Sequence, residues 1–519
     1  MPADRVRPAP CRLARALTIV IIGFTAAVSL LWSHAKLFSQ DEMYEFQTDS
    51  VSSLRELVHV QRTWPISLDP LLYHSLSHGA MRIFGAAAFA QRLPALLGFL
   101  LMQVCLFFLV RRLAGERAGA VAATLPALTA TLYYSAEGRP YGLLLGLYAL
   151  ALLCWIEASR EAQPSRTTWL VGLAIAIAAT LNTHYFGILV LLPICAAELC
   201  RTGERRRIDG PMLASIVAGT ASIVLTRPFM RAAGEFKIHY YNEGSVGLRD
   251  ITRAYRSLFV NYTTMPMPAQ RLWAAALLVF AAALVFGCWF VWRRGTPRLS
   301  PAQWVLLLTL AALPFAGYLL ALFVTHSIEV RYVLGAVIGI AAMVAIAGAR
   351  WLESDRIFSS AMVLMGIVLL TSGAVRIRSE NVRTQERLAT LDLPEAAEQF
   401  LREHPDRRLY VQDMGAFEED RYYEPDANVK ARMTLVYSTD EELRWNRHDT
   451  MALTAMHLQH FTTLPVEAYE HVRMLPGEQL FVLRHTGWDW TDQAFAAEGA
   501  QVRVIGHAFD GDLALVTFR

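Results

Sequence analysis

Residues 133–153 read YYSAEGRPYGLLLGLYALALL, and the polar residues at its start decide how the chain is read. The stretch before it, GAVAATLPALTATL (119–132), is apolar, and the stretch after it carries no charge from Gly142 to Ile156. Each apolar run approaches the ~20 residues needed to cross a bilayer. Glu137 and Arg139 sit two residues apart in the break between the runs, ringed by Tyr133, Tyr134 and Tyr141. Turns draw mainly on Gly, Asn, Asp, Ser and Pro. A Tyr-Tyr-x-x-Glu-x-Arg-Pro-Tyr joint therefore asks for more than a change of direction.

Outward from this joint, composition agrees with a membrane protein. The 519 residues are 54% hydrophobic and 18% charged, against about 25% charged in soluble domains. A net charge of +3, with no basic patch interleaved with aromatics, excludes a nucleic-acid partner. The six cysteines all lie at or before Cys288, so the polar C-terminal third has no disulfide framework. No CxxC pair marks a zinc or redox site.

Eleven apolar segments read as spans: 16–35, 86–110, 118–135, 141–159, 168–182, 184–200, 211–227, 272–292, 302–325, 332–349 and 357–374. The first follows a basic leader and is too long for a signal peptide, so it reads as a retained anchor. Alternate joints are short and basic: MPADRVRPAPCRLAR, RRLAGER, SREAQPSR, RTGERRRIDG, RRGTPR and RWLESDR. The positive-inside rule assigns these to the cytoplasm. The N-terminus is then cytoplasmic. With an odd number of spans, whatever follows the last is extracytoplasmic.

The expected architecture is a polytopic α-helical membrane domain over 1–374. Its outer loops are 36–85, with juxtamembrane helices, and 228–271. A soluble α/β domain over 375–519 follows on the outer, periplasmic face. In that domain RLYVQD, MTLVYS, QLFVLRH, VRVIGH and LALVTFR read as strands, and LPEAAEQFLREH and TDQAFAAEG as helices.

This orientation collects the polar anomalies on the outer side. FSQDEMYEF brings Asp41, Glu42 and Glu45 just past the first span. RTWPISLDPLLYHSLSHGAMRIFG adds Asp69 before Pro70, then Tyr73, His74 and His78. The remaining outer joints bring Glu137, Arg139 and Tyr141; His184 and Tyr185; Lys237 with His239, Tyr240 and Tyr241; and Glu329, Arg331 and Tyr332. Ionisable groups at a membrane edge are costly and commonly functional.

Each has a structural reading beside the chemical one. Asp41 and Glu42 suit a helix start, Glu137 and Arg139 an ion pair between helix ends, and the tyrosines an aromatic belt. His74 and His78, at i and i+4, share a helix face, but two imidazoles without a third positioned ligand do not make a zinc site. No cofactor is assigned, and a divalent cation stays open. The chemistry that uses the whole set is sugar transfer from a lipid phosphate. A carboxylate takes a proton from an acceptor hydroxyl, guanidinium groups hold the phosphate, and aromatic faces pack on sugar and lipid.

Six pieces in order resemble one known group: DEMYEF, DPLLYHSLSHGAMRIFGAAAFAQRLPALLGFL, RRLAGERAG, YYSAEGRPYGLLL, THYFGILVLL and EVRYVLGAV. Over residues 15–350 the chain is similar to the GT-C superfamily of polyprenyl-phosphate-sugar-dependent glycosyltransferases, family-39-like. That group includes protein O-mannosyltransferases and the lipid A aminoarabinose transferase. The resemblance implies an inverting transfer of a monosaccharide from a polyprenyl-phosphate donor to a hydroxyl of a lipid, glycan or protein, at the periplasmic face of a bacterial inner membrane.

It further implies that Asp41 is the catalytic base with Glu42 beside it, and that Asp69 belongs to the substrate site. Arg139, with Arg331 or Lys237, would hold the donor phosphate, and Glu137 would orient Arg139. Tyr73, Tyr141, His184, Tyr185 and Tyr332 would shape the pocket. The chain departs from the family at Asp69-Pro70-Leu71, where Pro-Pro after Lys or His is usual. A lysine contact at that point does not carry over, and Arg62 or Lys237 are the replacements. Two rival classes are a transporter of a lipid-linked sugar and a non-catalytic envelope-assembly subunit. A transporter places ionisable groups at mid-membrane between related halves, and neither feature is present in this sequence.

Overall fold

The computed structural model describes residues 11–237, 246–260, 267–326, 328–485 and 489–518. The chain divides into two compact units. One comprises residues 1–33, 92–226 and 244–376; the other comprises 34–91, 227–243 and 377–519.

Among the described residues, seven helices are long and apolar enough to cross a membrane: Arg12–Ala35, Ala88–Ala114, Tyr141–Ala158, Tyr185–Arg205, Gly210–Phe236, Gln270–Arg294 and Asp355–Ala389. Pro301–Ala311 with Leu313–Phe323 makes an eighth, bent by 54°. The bend falls where Pro314 enters the second helix at its first turn, since proline cannot continue the hydrogen-bond ladder of the helix before it. The other three expected spans fall on shorter elements. Residues 118–135 are the Glu116–Thr124 helix continued by two 3₁₀ turns. Residues 168–182 lie in Arg166–Thr183 and 332–349 around Ala336–Gly348.

In the first unit, Tyr141–Ala158 is the central helix, buried nearly all round. It crosses Ala88–Ala114 at glycines. A Cβ on Gly98 would stand 2.2 Å from Leu143 Cα, one on Gly142 2.3 Å from the Ala95 carbonyl oxygen, and one on Gly146 2.3 Å from that of Gly98. The GLLLG spacing of Gly142 and Gly146 is thus a small-xxx-small contact, which lets two backbones touch where lipid offers no hydrophobic drive. Because Tyr141 opens this helix, the crossing also sets the height of the Glu137–Tyr141 joint.

The second unit holds a six-stranded sheet of order β3-β2-β1-β4-β6-β5. The strands are β1 (Leu409–Val411), β2 (Met433–Tyr437), β3 (Val466–Ala468), β4 (Gln479–Leu483), β5 (Gln501–Ala508) and β6 (Gly511–Thr517). The first four pair in parallel, while β6 runs antiparallel to β4 and β5. All five predicted strands and both predicted helices are present, and the short β3 is additional. Strand β1 and strand β4 are buried along their whole length, as parallel strands covered on both faces must be. The β5–β6 hairpin turns through Phe509 and Asp510, both at φ 55°. That is the left-handed pair a two-residue loop requires.

The order reverses at β1, with β2 on one side and β4 on the other, and doubly wound sheets place functional contacts at such a point, beyond the carboxyl ends of the strands. Just past β1, Asp413 caps the Met414–Tyr423 helix by accepting from Ala416 N at 2.7 Å. That helix packs on Gln40–Asp49, the acidic helix of the first loop.

Candidate functional site

The site residues fall into two clusters, one in each unit. In the first unit the aromatic joint is continuous. Tyr133 donates to Glu137 Oε1 at 3.1 Å. The Arg139 guanidinium lies 5.6 Å from the centre of the Tyr141 ring and donates through Nη2 to its hydroxyl at 3.4 Å. Tyr141 meets Tyr134 at 5.3 Å on one side and His184 at 5.3 Å on the other. His184 sits 6.2 Å from Tyr332, and Phe186 stacks flat on Tyr332 at 3.8 Å. Arg331 stands 5.8 Å from the Tyr332 ring. Glu137, Tyr141 and His184 are buried. Three separate joints thus supply one layer of rings with guanidiniums at its edge.

His184 has a local task as well. It interrupts two helices in an extended conformation, and its Nδ1 accepts from Phe186 N at 3.1 Å, capping the Tyr185–Val190 turn. Tyr185 is half-buried beside it. Phe186, quoted in the sequence only within THYFGILVLL, proves to be the stacking partner of Tyr332. An aromatic two residues past His184 was the available signal.

In the second unit, Ser39 opens the Gln40–Asp49 helix with a capping box. Glu42 is its third residue. Fully buried, it accepts through Oε2 from Ser39 N and from Lys36 Nζ, each at 3.0 Å. Such a box satisfies two orphan donors at once and suits carboxylates to the positive helix end. Glu42 therefore carries the helix start. Asp41 is the second residue of the helix, half-buried where Glu42 is sealed.

Below the cap lies a buried acid–imidazole cluster. His74 Nδ1 is 2.7 Å from Asp49 Oδ1 and 3.1 Å from Glu45 Oε2, and all three side chains are fully buried. Ser67 donates to Glu45 Oε1 at 2.9 Å. Burial lowers the affinity of the ring for its second proton, but Glu45 and Asp49, with Asp69 adding a smaller share, outweigh it and raise His74 to about 9. His78 is not in the cluster: its Nδ1 faces the Asp49 carbonyl at 2.9 Å. The i, i+4 histidine pair is thus divided between two tasks. Glu45, Asp49 and His74 form a buried donor set that could hold a metal, and His485, Asp489 and Asp492 form a second, more exposed one. Tyr73 donates to the Gln91 carbonyl at 2.9 Å, and Gln91 donates to the Glu42 carbonyl at 2.8 Å. Asp69 is buried immediately before Pro70, which opens the Leu71–Phe84 helix.

The C-terminal segment contributes to this second cluster through the end of the Met414–Tyr423 helix. Tyr423 hydroxyl accepts from Phe38 N at 3.0 Å. Tyr422 meets Phe38 at 5.2 Å and Phe46 at 5.5 Å, both edge-on. Tyr422 and Tyr423 begin the YYEPDANVKARM stretch. They latch the helix that carries Asp41. Lys237 ends the Gly234–Lys237 turn, but its side chain lies outside the described residues, as do His239, Tyr240 and Tyr241.

Residues 69–230 match the family described as dolichyl-phosphate-mannose-protein mannosyltransferase. Among solved structures, the chain is similar to ArnT from Cupriavidus metallidurans in the apo state (TM-score 0.60, 14% identity, 96% of this chain and 98% of that one). It is also similar to the same protein bound to undecaprenyl phosphate (TM-score 0.59, 14% identity, 96% and 97%). No curated protein matches it by sequence. The family match takes in the Glu137–Tyr141 joint and His184, and the chain shares the fold of ArnT from end to end.

Proposed function

We propose that the protein transfers a monosaccharide from a polyprenyl phosphate to a hydroxyl acceptor, with inversion, at the extracytoplasmic face of a bacterial plasma membrane. The observation that carries this reading is the continuous Arg139–Tyr141–His184–Tyr332 layer, which offers guanidinium donors beside ring faces. The ArnT structure described as holding undecaprenyl phosphate supports the choice of lipid class.

In the proposed step the acceptor O–H gives its proton to the Asp41 carboxylate as its oxygen attacks the anomeric carbon. The bond from that carbon to the phosphate oxygen breaks, and the electron pair leaves with the polyprenyl phosphate. Arg139 and Arg331 stabilise the charge gathering on the phosphate, because guanidinium donors pair with phosphate oxygens in a fixed fork. Glu137 orients Arg139, while Tyr141, His184, Tyr185 and Tyr332 pack on sugar and isoprenoid. Asp69 and Tyr73 are assigned to the substrate site, Tyr73 as its buried support, and Lys237 is assigned to the phosphate. The orientation is that of the positive-inside rule: N-terminus cytoplasmic, C-terminal domain outside.

We read Glu45, Asp49 and His74 as a proton-holding clamp, because the single Nδ1 faces both carboxylates. A divalent cation at this donor set is the second reading, and it would take the place of that proton.

The test is transfer of radiolabelled sugar from polyprenyl phosphate in vesicles holding the purified protein. Asp41→Asn should lower turnover about 10²–10⁴-fold, the range for loss of a general base, with donor binding retained. Wild-type turnover by Asp41→Asn would remove the base assignment. Covalent transfer absent from the wild type, with uptake of the lipid-linked sugar instead, would replace the enzyme by a transporter.

A further inference from the structure

At the end of the spans opposite the aromatic layer, the first unit encloses a cavity of about 1230 Å³. Its lining draws on the N-terminal segment at Cys11 and on four of the short basic joints: 111–118, Arg160, 295–298 and 349–353. Six arginines line it (Arg111, Arg112, Arg117, Arg160, Arg298 and Arg350) against two glutamates, Glu116 and Glu353. Charge bias toward one end of the spans is ordinary. Convergence of five segments on one cavity is not required by that rule, because lysines and arginines that only set topology are free to point into solvent.

Elsewhere at the same end, arginines are matched by acids. Arg201 pairs with Glu198 at 2.8 Å and also with Asp209, Arg166 pairs with Asp209 at 2.5 Å, and Arg207 pairs with Glu161 at 2.7 Å. Within the cavity the balance differs. Glu116 is already held by Arg15 at 2.6 Å and by Cys11 N at 2.7 Å, leaving Arg111 3.7 Å away. Arg112 reaches Glu157 at 3.6 Å, longer than a charge-assisted hydrogen bond. Among the described residues, neither Arg298 nor Arg350 has an ion pair. Arg160 pairs with Glu157 at 3.0 Å and Arg117 pairs with Asp355. The unmatched guanidiniums are therefore Arg298 and Arg350, and such groups repel their cationic neighbours unless an anion joins them.

The floor is apolar, formed by Leu113, Ala118, Ile156 and Leu352. Exposed Trp292 and Trp351 flank the arginine-bearing joints, and tryptophan concentrates at the headgroup level. Basic pockets between spans at that level suit anionic headgroups. We propose that this cavity binds a phosphate ester, through a guanidinium ring led by Arg298 and Arg350 and with an apolar portion on the Leu113–Leu352 floor. The chemistry is shared by two sources, the headgroup of an anionic phospholipid and a soluble phosphate ester, and the position at the span ends favours the lipid. This site is separate from the transfer reaction proposed above and does not depend on it.

The test uses the full-length protein in detergent, with phosphatidylglycerol or cardiolipin against phosphatidylcholine followed by native mass spectrometry, and glycerol 3-phosphate followed by calorimetry. The expected result is selective retention of the anionic lipids, reduced at least 10-fold in the Arg298→Ala/Arg350→Ala double variant and partly kept in the Lys/Lys variant. Arg207→Ala, a paired arginine outside the cavity, should change nothing. Binding of glycerol 3-phosphate instead, with the same loss, would assign the soluble source. No selective binding by the wild type, or equal losses in Arg207→Ala and the double variant, would overturn the site. Thermal unfolding by tryptophan fluorescence establishes that each variant is folded, and if the alanine pair unfolds, the lysine pair decides.

Discussion

His74 Nδ1 and Asp49 Oδ1 stand 2.7 Å apart with both side chains sealed from solvent, and Glu45 closes the same nitrogen from the other side at 3.1 Å. The clamp ties the Leu71–Phe84 helix to the Gln40–Asp49 helix and so fixes the frame on which Asp41 is carried. A proton shared among one imidazole and two acids gives this frame a pH dependence. The ring is raised from 6.5 to about 9, so its contribution is complete below about pH 6.5 and is lost as pH climbs through 9. The melting temperature should fall across that window, on a scale of about 3 kcal/mol. In His74→Gln the slope between pH 6.5 and 9 should flatten. A slope unchanged by the substitution would show that another group titrates.

Chelation separates the clamp from a metal site. Treatment with EDTA should leave both the melting temperature and turnover unchanged, since a proton rather than a cation joins the three side chains. A drop in melting temperature restored by added zinc or manganese would reverse that assignment.

Gly146 stands against Gly98 so closely that a methyl group has no space. In Gly146→Ala the new Cβ would meet the Gly98 carbonyl at 2.3 Å, and backbone must move. The expected loss is about 1–3 kcal/mol or more, with turnover falling further because the shift displaces Tyr141 and its joint. Gly23→Ala is the control, since nothing lies within 4 Å of its added Cβ. It should be neutral or slightly stabilising in a helix. Thermal unfolding in detergent compares the two.

Arg139→Ala should lower kcat/KM for the lipid donor about 10²–10³-fold, the scale for removing one preorganised donor from developing charge. Arg139→Lys should recover part of that, because lysine keeps the charge but not the fork. Equal activity of the lysine and wild-type proteins would reduce Arg139 to a structural cation beside Tyr141.

Tyr422 and Tyr423 hold the Asp41 helix from the end of the Met414–Tyr423 helix, so their loss should appear in kcat rather than in donor KM. Tyr423→Phe removes one hydrogen bond, worth about 1 kcal/mol. Tyr422→Ala removes the ring contacts with Phe38, Phe46 and Tyr423, and Tyr422→Phe should restore them. A change confined to KM would place these residues in donor binding instead.

Much of this protein was legible without coordinates. Apolar length, basic joints and strand patterns are local properties. They located the seven spanning helices, the bent pair, the five main strands and the Tyr-Glu-Arg-Tyr joint, while three expected spans fall on shorter elements. Ordered motifs pointed to the sugar-transfer class. Glu42 shows the limit: sequence paired it with Asp41 as a chemical unit. Folding instead commits Glu42 to a capping box and Lys36, because a buried carboxylate three residues past Ser39 satisfies both at once. His74 and His78 looked equivalent at i and i+4. Only the packing of two helices, Gln40–Asp49 and Leu71–Phe84, shows that one faces two acids and the other a carbonyl. The GLLLG crossing was readable as spacing but had no partner until Gly98 met it. The partners of the basic joints and of Tyr422 and Tyr423 likewise lie far off in sequence. Periodicity and charge act along the chain, whereas which buried acid meets which cation is settled by contacts between distant segments, and those exist only once the chain is folded.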